Sequence, residues 1–184
     1  TENTPFAPRS PYAVAKSTAK WLINSYRESY GLYACTGILF NHESPLRPER
    51  FVTQKIVVGA SKIKAGLIQK IQLGNLDISR DWGWAPEYVQ AMWLMMQQKE
   101  PGDFVIATGR MESLTYFVSK AFEYFDLDWQ KYVEINPSFF RPNEIQHSIG
   151  NPQRAIELLK WSKPTDIDGV IQKMCAAQVK QLGL

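Results

Sequence analysis

The chain has 184 residues, 45% of them hydrophobic and 21% charged, with a formal net charge of +3 at pH 7. That length is one domain, or one and a half, and can bury roughly 70% of the unfolded surface, enough for a real core, which argues against disorder, and 11 glycines with 11 prolines rule out collagen-like or linker character. The basic excess is too small to indicate nucleic acid, and no apolar run approaches the roughly 20 residues of a membrane span, so neither partner is expected.

The opening eight residues show no basic stretch and no apolar core, so no secretory leader is expected. Cys35 and Cys175 read as buried thiols of a reducing compartment, the cytoplasm. His42 and His147 lie far apart with no Cys/His cluster around them, and no metal site is expected.

Ser10-Pro11 has the form of a helix N-cap followed by a first-turn proline, and Gly31 that of a C-terminal cap, so a helix is predicted from Pro11 to Tyr30. Its inward face is predicted to be Ala15, Ala19, Leu22, Ile23 and Tyr26. Tyr33 to Phe40 reads as a buried strand, Asn41 to Pro48 as a polar loop, and Val52 to Ala65 as a second helix. A short strand is predicted at Gln69–Leu73, ending at the Gly74-Asn75 turn. Pro86 to Gln98 reads as a helix with Val89, Met92, Trp93 and Met96 toward the core.

Further strands are predicted at Asp103–Thr108 and Tyr132–Ile135. A helix from Ser113 to Phe125 carries the stripe Leu114, Phe117, Val118, Ala121, Phe122 and Phe125. Two last helices run from Asn151-Pro152 to Trp161 and from Asp166 to about Leu182. Strands alternating with helices indicate an α/β class. The closest glycines, Gly31 and Gly37, are six apart, so the chain has no glycine-rich dinucleotide-phosphate loop of the G-x-G-x-x-G kind.

Tyr12 and Lys16 are one helical turn apart and project from one face. Ionising a free tyrosine at pH 7 costs about 3 pKa units, roughly 4 kcal/mol, and a neighbouring ammonium offsets part of that. Such a pair can serve as a general base, although Tyr-x-x-x-Lys occurs by chance in many helices and by itself reads as a solvated helix face.

The context narrows the reading. Pro8-Arg9-Ser10-Pro11-Tyr12-Ala13-Val14-Ala15-Lys16 resembles the active-site helix of extended short-chain dehydrogenases/reductases. Gly37-Ile38-Leu39-Phe40-Asn41-His42-Glu43-Ser44-Pro45, Phe51-Val52-Thr53-Gln54-Lys55-Ile56 and Leu73-Gly74-Asn75-Leu76-Asp77-Ile78-Ser79-Arg80-Asp81-Trp82-Gly83 are more specific. In order along nearly the whole chain, they resemble the C-terminal half or so of the GDP-mannose 4,6-dehydratase family.

The resemblance implies the last part of a Rossmann-like parallel sheet, in an NADP-binding domain covering residues 1–45. Residues 46–184 would then form mainly a smaller α/β sugar-nucleotide domain, with some segments returning to the first. It implies GDP-mannose as substrate, NADP as cofactor and a homodimer or homotetramer packed through helices, the Pro11–Tyr30 helix being the candidate interface. It makes Tyr12 the catalytic base and Lys16 its partner at the cofactor ribose. His42 and Arg47 become cofactor contacts. Asn41, Val52, Lys55, Gly74, Asn75, Arg80, Arg141 and Glu144 fall to the sugar nucleotide, and no metal is implied. The family's catalytic Thr or Ser, its Glu and its glycine-rich loop would precede Thr1, which implies an inactive isolated chain.

Three departures from the family pattern stand out: Trp84 in place of His, Glu87 in place of Asp, and Pro45-Leu46-Arg47-Pro48 in place of Pro-Arg-Arg-Gly. Between Leu46 and Arg80 seven basic residues face two acids, Glu49 and Asp77, an excess suited to a diphosphate. Arg80-Asp81 could form a local ion pair, with Asp81 capping the following helix. Another nucleotide-sugar dehydratase or epimerase of the same superfamily, or a non-catalytic nucleotide-binding domain, stays open on these grounds.

Overall fold

The structure, a computed structural model, describes residues 1–141, 143–162 and 164–183. The first helix, α1 (Pro11–Tyr30), begins where Ser10 accepts a hydrogen bond from the Ala13 N–H and ends where Gly31, at φ 63°, donates its N–H to Arg27 O. Both caps are the ones the sequence predicts. The inward face is not. No residue of α1 is buried, and Ala15, Ala19, Leu22 and Tyr26 are exposed, with only Ile23 half-buried.

Charge explains the difference. Lys20 and Arg27 both reach Asp103, each at 2.8 Å, and Arg27 Nε also donates to Ala34 O. The helix is thus held by its polar stripe. Partial burial pushes the Asp103 carboxyl up, but the bonds from Lys20 and Arg27 outweigh it and hold the group below its ordinary value.

β1 (Thr36–Leu39) is shorter than predicted, and β2 (Asn41–Glu43) forms where a loop is expected. α2 (Val52–Lys64), β3 (Ile71–Leu73), β4 (Ser79–Arg80), β5 (Trp82–Trp84) and α3 (Ala85–Met95) follow. Next come β6 (Asp103–Ile106), β7 (Glu112–Ser113), α4 (Leu114–Glu123), α5 (Trp129–Tyr132) and β8 (Val133–Ile135). A 3₁₀ turn at Pro137–Phe139, β9 (His147–Ser148), α6 (Gln153–Leu159) and α7 (Ile167–Leu182) complete the chain. The strands pair as β1 with β6, β2 with β5 and β3 with β8, all parallel, while β4 lies between β7 (antiparallel) and β9 (parallel). Parallel pairs require crossovers, and the intervening helices supply them. The α/β class is therefore as expected.

Two cores result. One joins α2, α4 and α7 through Ile56, Ala60, Phe117, Phe122, Val170 and Met174. The predicted α4 stripe is buried throughout. The other core lies between α3, β6 and α6, with Tyr88, Met95, Phe104, Ile106 and Trp161. Here the predicted α3 stripe fails: Val89, Met92, Trp93 and Met96 are exposed, and Tyr88, Ala91 and Met95 are buried. The two stripes are adjacent and both apolar, so only packing against β6 and Trp161 decides between them. Cys175 is buried as predicted, Cys35 only partly, and both are free. Among the described residues no helix is long and apolar enough to cross a membrane.

Candidate functional site

A cleft of about 370 Å³ opens between β2, the start of α2, the turn after β3, and β4. Alternation along β2 turns Asn41 and Glu43 into it and leaves His42 out. The first turn of α2 brings Phe51, Val52, Thr53 and Lys55. The turn after β3 brings Gly74 and Asn75, β4 brings Arg80, and the segment after the 3₁₀ turn brings Arg141 and Glu144. Pro142, inside that last motif, lies outside the described residues.

Among the described residues five cations line the cleft: Arg47, Arg50, Lys55, Arg80 and Arg141. Only four of the seven basic residues counted between Leu46 and Arg80 contribute. Lys62, Lys64 and Lys70 pair instead with Glu49, Asp126 and Glu134 outside the cleft. Arg80 Nη2 donates to Glu144 Oε1 at 2.7 Å, and its Nη1 donates to Ser79 O and Gln146 O. Burial lowers the Arg80 pKa, Glu144 opposes that shift, and the guanidinium remains cationic. Arg141 stands 3.9 Å from the same carboxyl and is largely exposed, free to reach a ligand. Lys55 lies over the Phe139 ring at 4.8 Å. The Asn75 side-chain oxygen is turned back to the Asp77 N–H.

Glu43, which the sequence reading passes over, forms the floor. It is 1% exposed, and its Oε2 accepts from Thr53 Oγ1 at 2.7 Å. Arg47 Nε stands 3.0 Å from the same oxygen, but its N–H is misdirected, so the contact is ionic rather than a hydrogen bond. Burial pushes the Glu43 carboxyl up to about 7, against the pull of Arg47 and Thr53. A signal for Glu43 exists in its period-2 relation to Asn41, hidden when the segment is read as loop.

Arg47 was expected at the cofactor together with His42. The structure folds it into the cleft, its guanidinium 4.0 Å from the Phe51 ring centre. Asp81 does not cap α3. Its buried carboxylate accepts from the Thr108 N–H and hydroxyl, the Gly109 N–H and the Gly150 N–H.

Tyr12, Lys16 and His42 are not among the side chains lining the cleft. Tyr12 is 72% exposed, and Lys16 Nζ lies 5.7 Å from its ring centre. His42 Nδ1 is 2.8 Å from Phe40 O, and its Nε2 has no partner among the described residues. The exposed Tyr12 and Lys16 and the half-buried His42 offer a phenol, an ammonium and an imidazole, groups of the kind a dinucleotide takes, and Arg47 Nη1 donates to His42 O at 3.4 Å beside them.

A family model described as GDP-mannose 4,6 dehydratase matches residues 1–174. GDP-mannose 4,6 dehydratase 1 of Arabidopsis thaliana is 49% identical over 173 residues, covering 94% of this chain and 48% of the relative. The chain thus spans about half the length of that curated relative. Among solved structures, RMD from Pseudomonas aeruginosa complexed with NADPH superposes with a TM-score of 0.85 at 20% identity, covering 95% of this chain and 58% of the other. dTDP-glucose 4,6-dehydratase from Bacillus anthracis in complex with NAD gives 0.86 at 16% identity, covering 98% and 55%. These two likenesses show the fold.

Proposed function

This chain belongs to the GDP-mannose 4,6 dehydratase family, and on that premise we propose that it carries the sugar-nucleotide site and the Tyr–Lys pair of an enzyme converting GDP-D-mannose to GDP-4-keto-6-deoxy-D-mannose. The observation that carries the reading is the convergence of Arg47, Arg50, Lys55, Arg80 and Arg141 on one cleft. Guanidinium forks bind phosphate oxygens bidentately, and a row of them suits a diphosphate. Asn41, Val52, Gly74, Asn75 and Glu144 complete the walls.

Tyr12 removes the proton of the sugar C4 hydroxyl, and the Lys16 ammonium lowers the cost of the phenolate. NADP, when bound, would supply the hydride acceptor at C4 and the hydride donor at C6, the C6 hydroxyl leaving as water in between. Lys16 and His42 are the residues that would hold it, with Arg47, which donates to His42 O, at the junction between the cofactor and the diphosphate. Residues 1–45, with β6 returning to pair with β1, form the cofactor side, and residues 46–184 mainly the sugar-nucleotide side. The exposed Trp21, Leu22, Tyr26 and Tyr30 of α1 support a homodimer or homotetramer contact. The free thiols support a reducing cytoplasm.

Calorimetry with GDP tests the cleft. We expect binding that Arg80→Met weakens at least ~10-fold, the value of one charge-assisted contact; unchanged affinity refutes the assignment. In the complete dehydratase carrying this sequence, Tyr12→Phe is expected to lower turnover ~100-fold or more, the range of a lost general base. Near-native turnover removes Tyr12 from the reaction.

A further inference from the structure

We propose that Tyr88 and Gly83 are positioning residues for His42, holding its imidazole in one tautomer with Nε2 turned away from the sugar-nucleotide cleft. The inference rests on the reading of His42 as a cofactor contact and goes beyond it by naming what orients the ring. His42 on β2 is in register with Gly83 on β5. The Tyr88 ring lies beside both, its centre 4.7 Å from that of His42 and tilted by 31°.

Only glycine at 83 permits this. A Cβ there would stand 2.3 Å from Tyr88 Cε2 and 2.6 Å from its hydroxyl oxygen, closer than any real contact. Tyr88 is fully buried and braced edge-on by Trp161 at 5.9 Å and 88°, and the Trp161 indole N–H donates to Glu87 O. The platform under the imidazole is therefore rigid.

The tautomer follows from the other side of the ring. Phe40 O can only accept, so His42 Nδ1, 2.8 Å away, carries the proton. Nε2 is left to meet a ligand on the face of β2 opposite Asn41 and Glu43. The Tyr88 hydroxyl has no partner among the described residues. The aromatic ring is accordingly the part that positions His42, and phenylalanine should replace tyrosine without loss.

Histidine ¹⁵N spectra of the complete dehydratase, assigned through His42→Gln, test this. The native protein and Tyr88→Phe are expected to show His42 as the Nδ1–H tautomer. Tyr88→Leu and Gly83→Ala are expected to show averaged ring nitrogens, with NADP affinity ~10-fold weaker and GDP affinity unchanged. Tyr88→Leu should add nothing to His42→Gln. Gly83→Ala forces the ring aside and Tyr88→Leu removes it, so the two variants disturb the platform in opposite ways, and circular dichroism of each, with Tyr88→Phe as the folded control, shows which of them reports on a folded protein. Retention of the Nδ1–H tautomer in both variants overturns the proposal. Loss of the tautomer with unchanged NADP affinity upholds the positioning and refutes the cofactor role of His42.

Discussion

Among individual residues, Glu43 carries the largest consequence. Its carboxyl is driven up from 4.5 to about 7 by burial, against Arg47 and Thr53. The folded state therefore binds a proton that the unfolded state has released, and stability contributed by the neutral form is present below about 4.5 and lost as pH rises through about 7. Glu43→Gln keeps the shape and removes the titration. Urea unfolding at pH 5 and pH 8 should show the variant gaining on the native protein as pH rises, by on the order of 1–3 kcal/mol. A pH-independent difference would show that Glu43 does not titrate in this window. The roles proposed for Asn41 and Arg80 rest on motif likeness, but Glu43 is recognisable only once β2 is seen to be a strand.

At the scale of elements, short strands are held by buried side chains as much as by ladders. Asp81, between β4 and β5, fixes the turn after β6 and the chain at Gly150 through three backbone N–H groups and one hydroxyl. Asn at this position offers a single acceptor oxygen and points its amide donors at other donors. Asp81→Asn is expected to cost about 2–4 kcal/mol in denaturant unfolding, as a buried group losing its partners does. It should also weaken GDP binding, since Arg80 is the preceding residue. A loss below about 0.5 kcal/mol, the range of surface substitutions, would mean that the turn is held by other contacts. The caps of α1 show the opposite case, since Ser10, Pro11 and Gly31 specify its ends through local chemistry alone.

In the molecule as a whole, two helices keep apolar faces uncovered: Trp21, Leu22, Tyr26 and Tyr30 on α1, and Val89, Met92, Trp93 and Met96 on α3. Contiguous apolar surface of this kind promotes association. The 184-residue chain by itself is expected to bind a hydrophobic dye and to self-associate with rising concentration. Trp93→Glu should reduce both, as read by fluorescence and light scattering. A monodisperse monomer with no dye binding would show that these faces do not act as a contact surface.

The sequence alone determined what depends on neighbours in the chain: helix ends, the α4 stripe, the α/β alternation, and the motifs that place the chain in its family. Capping, helical periodicity and motif spacing act over a few residues, so they can be read without a structure. The tertiary structure decided which of two adjacent apolar stripes on α3 is buried, that α1 is held by Lys20 and Arg27 on Asp103, and that Arg47 lies with Glu43 in the cleft. Each of these depends on a partner distant in the chain or on a strand register. Burial, pairing and desolvation are properties of that juxtaposition, which no local pattern encodes.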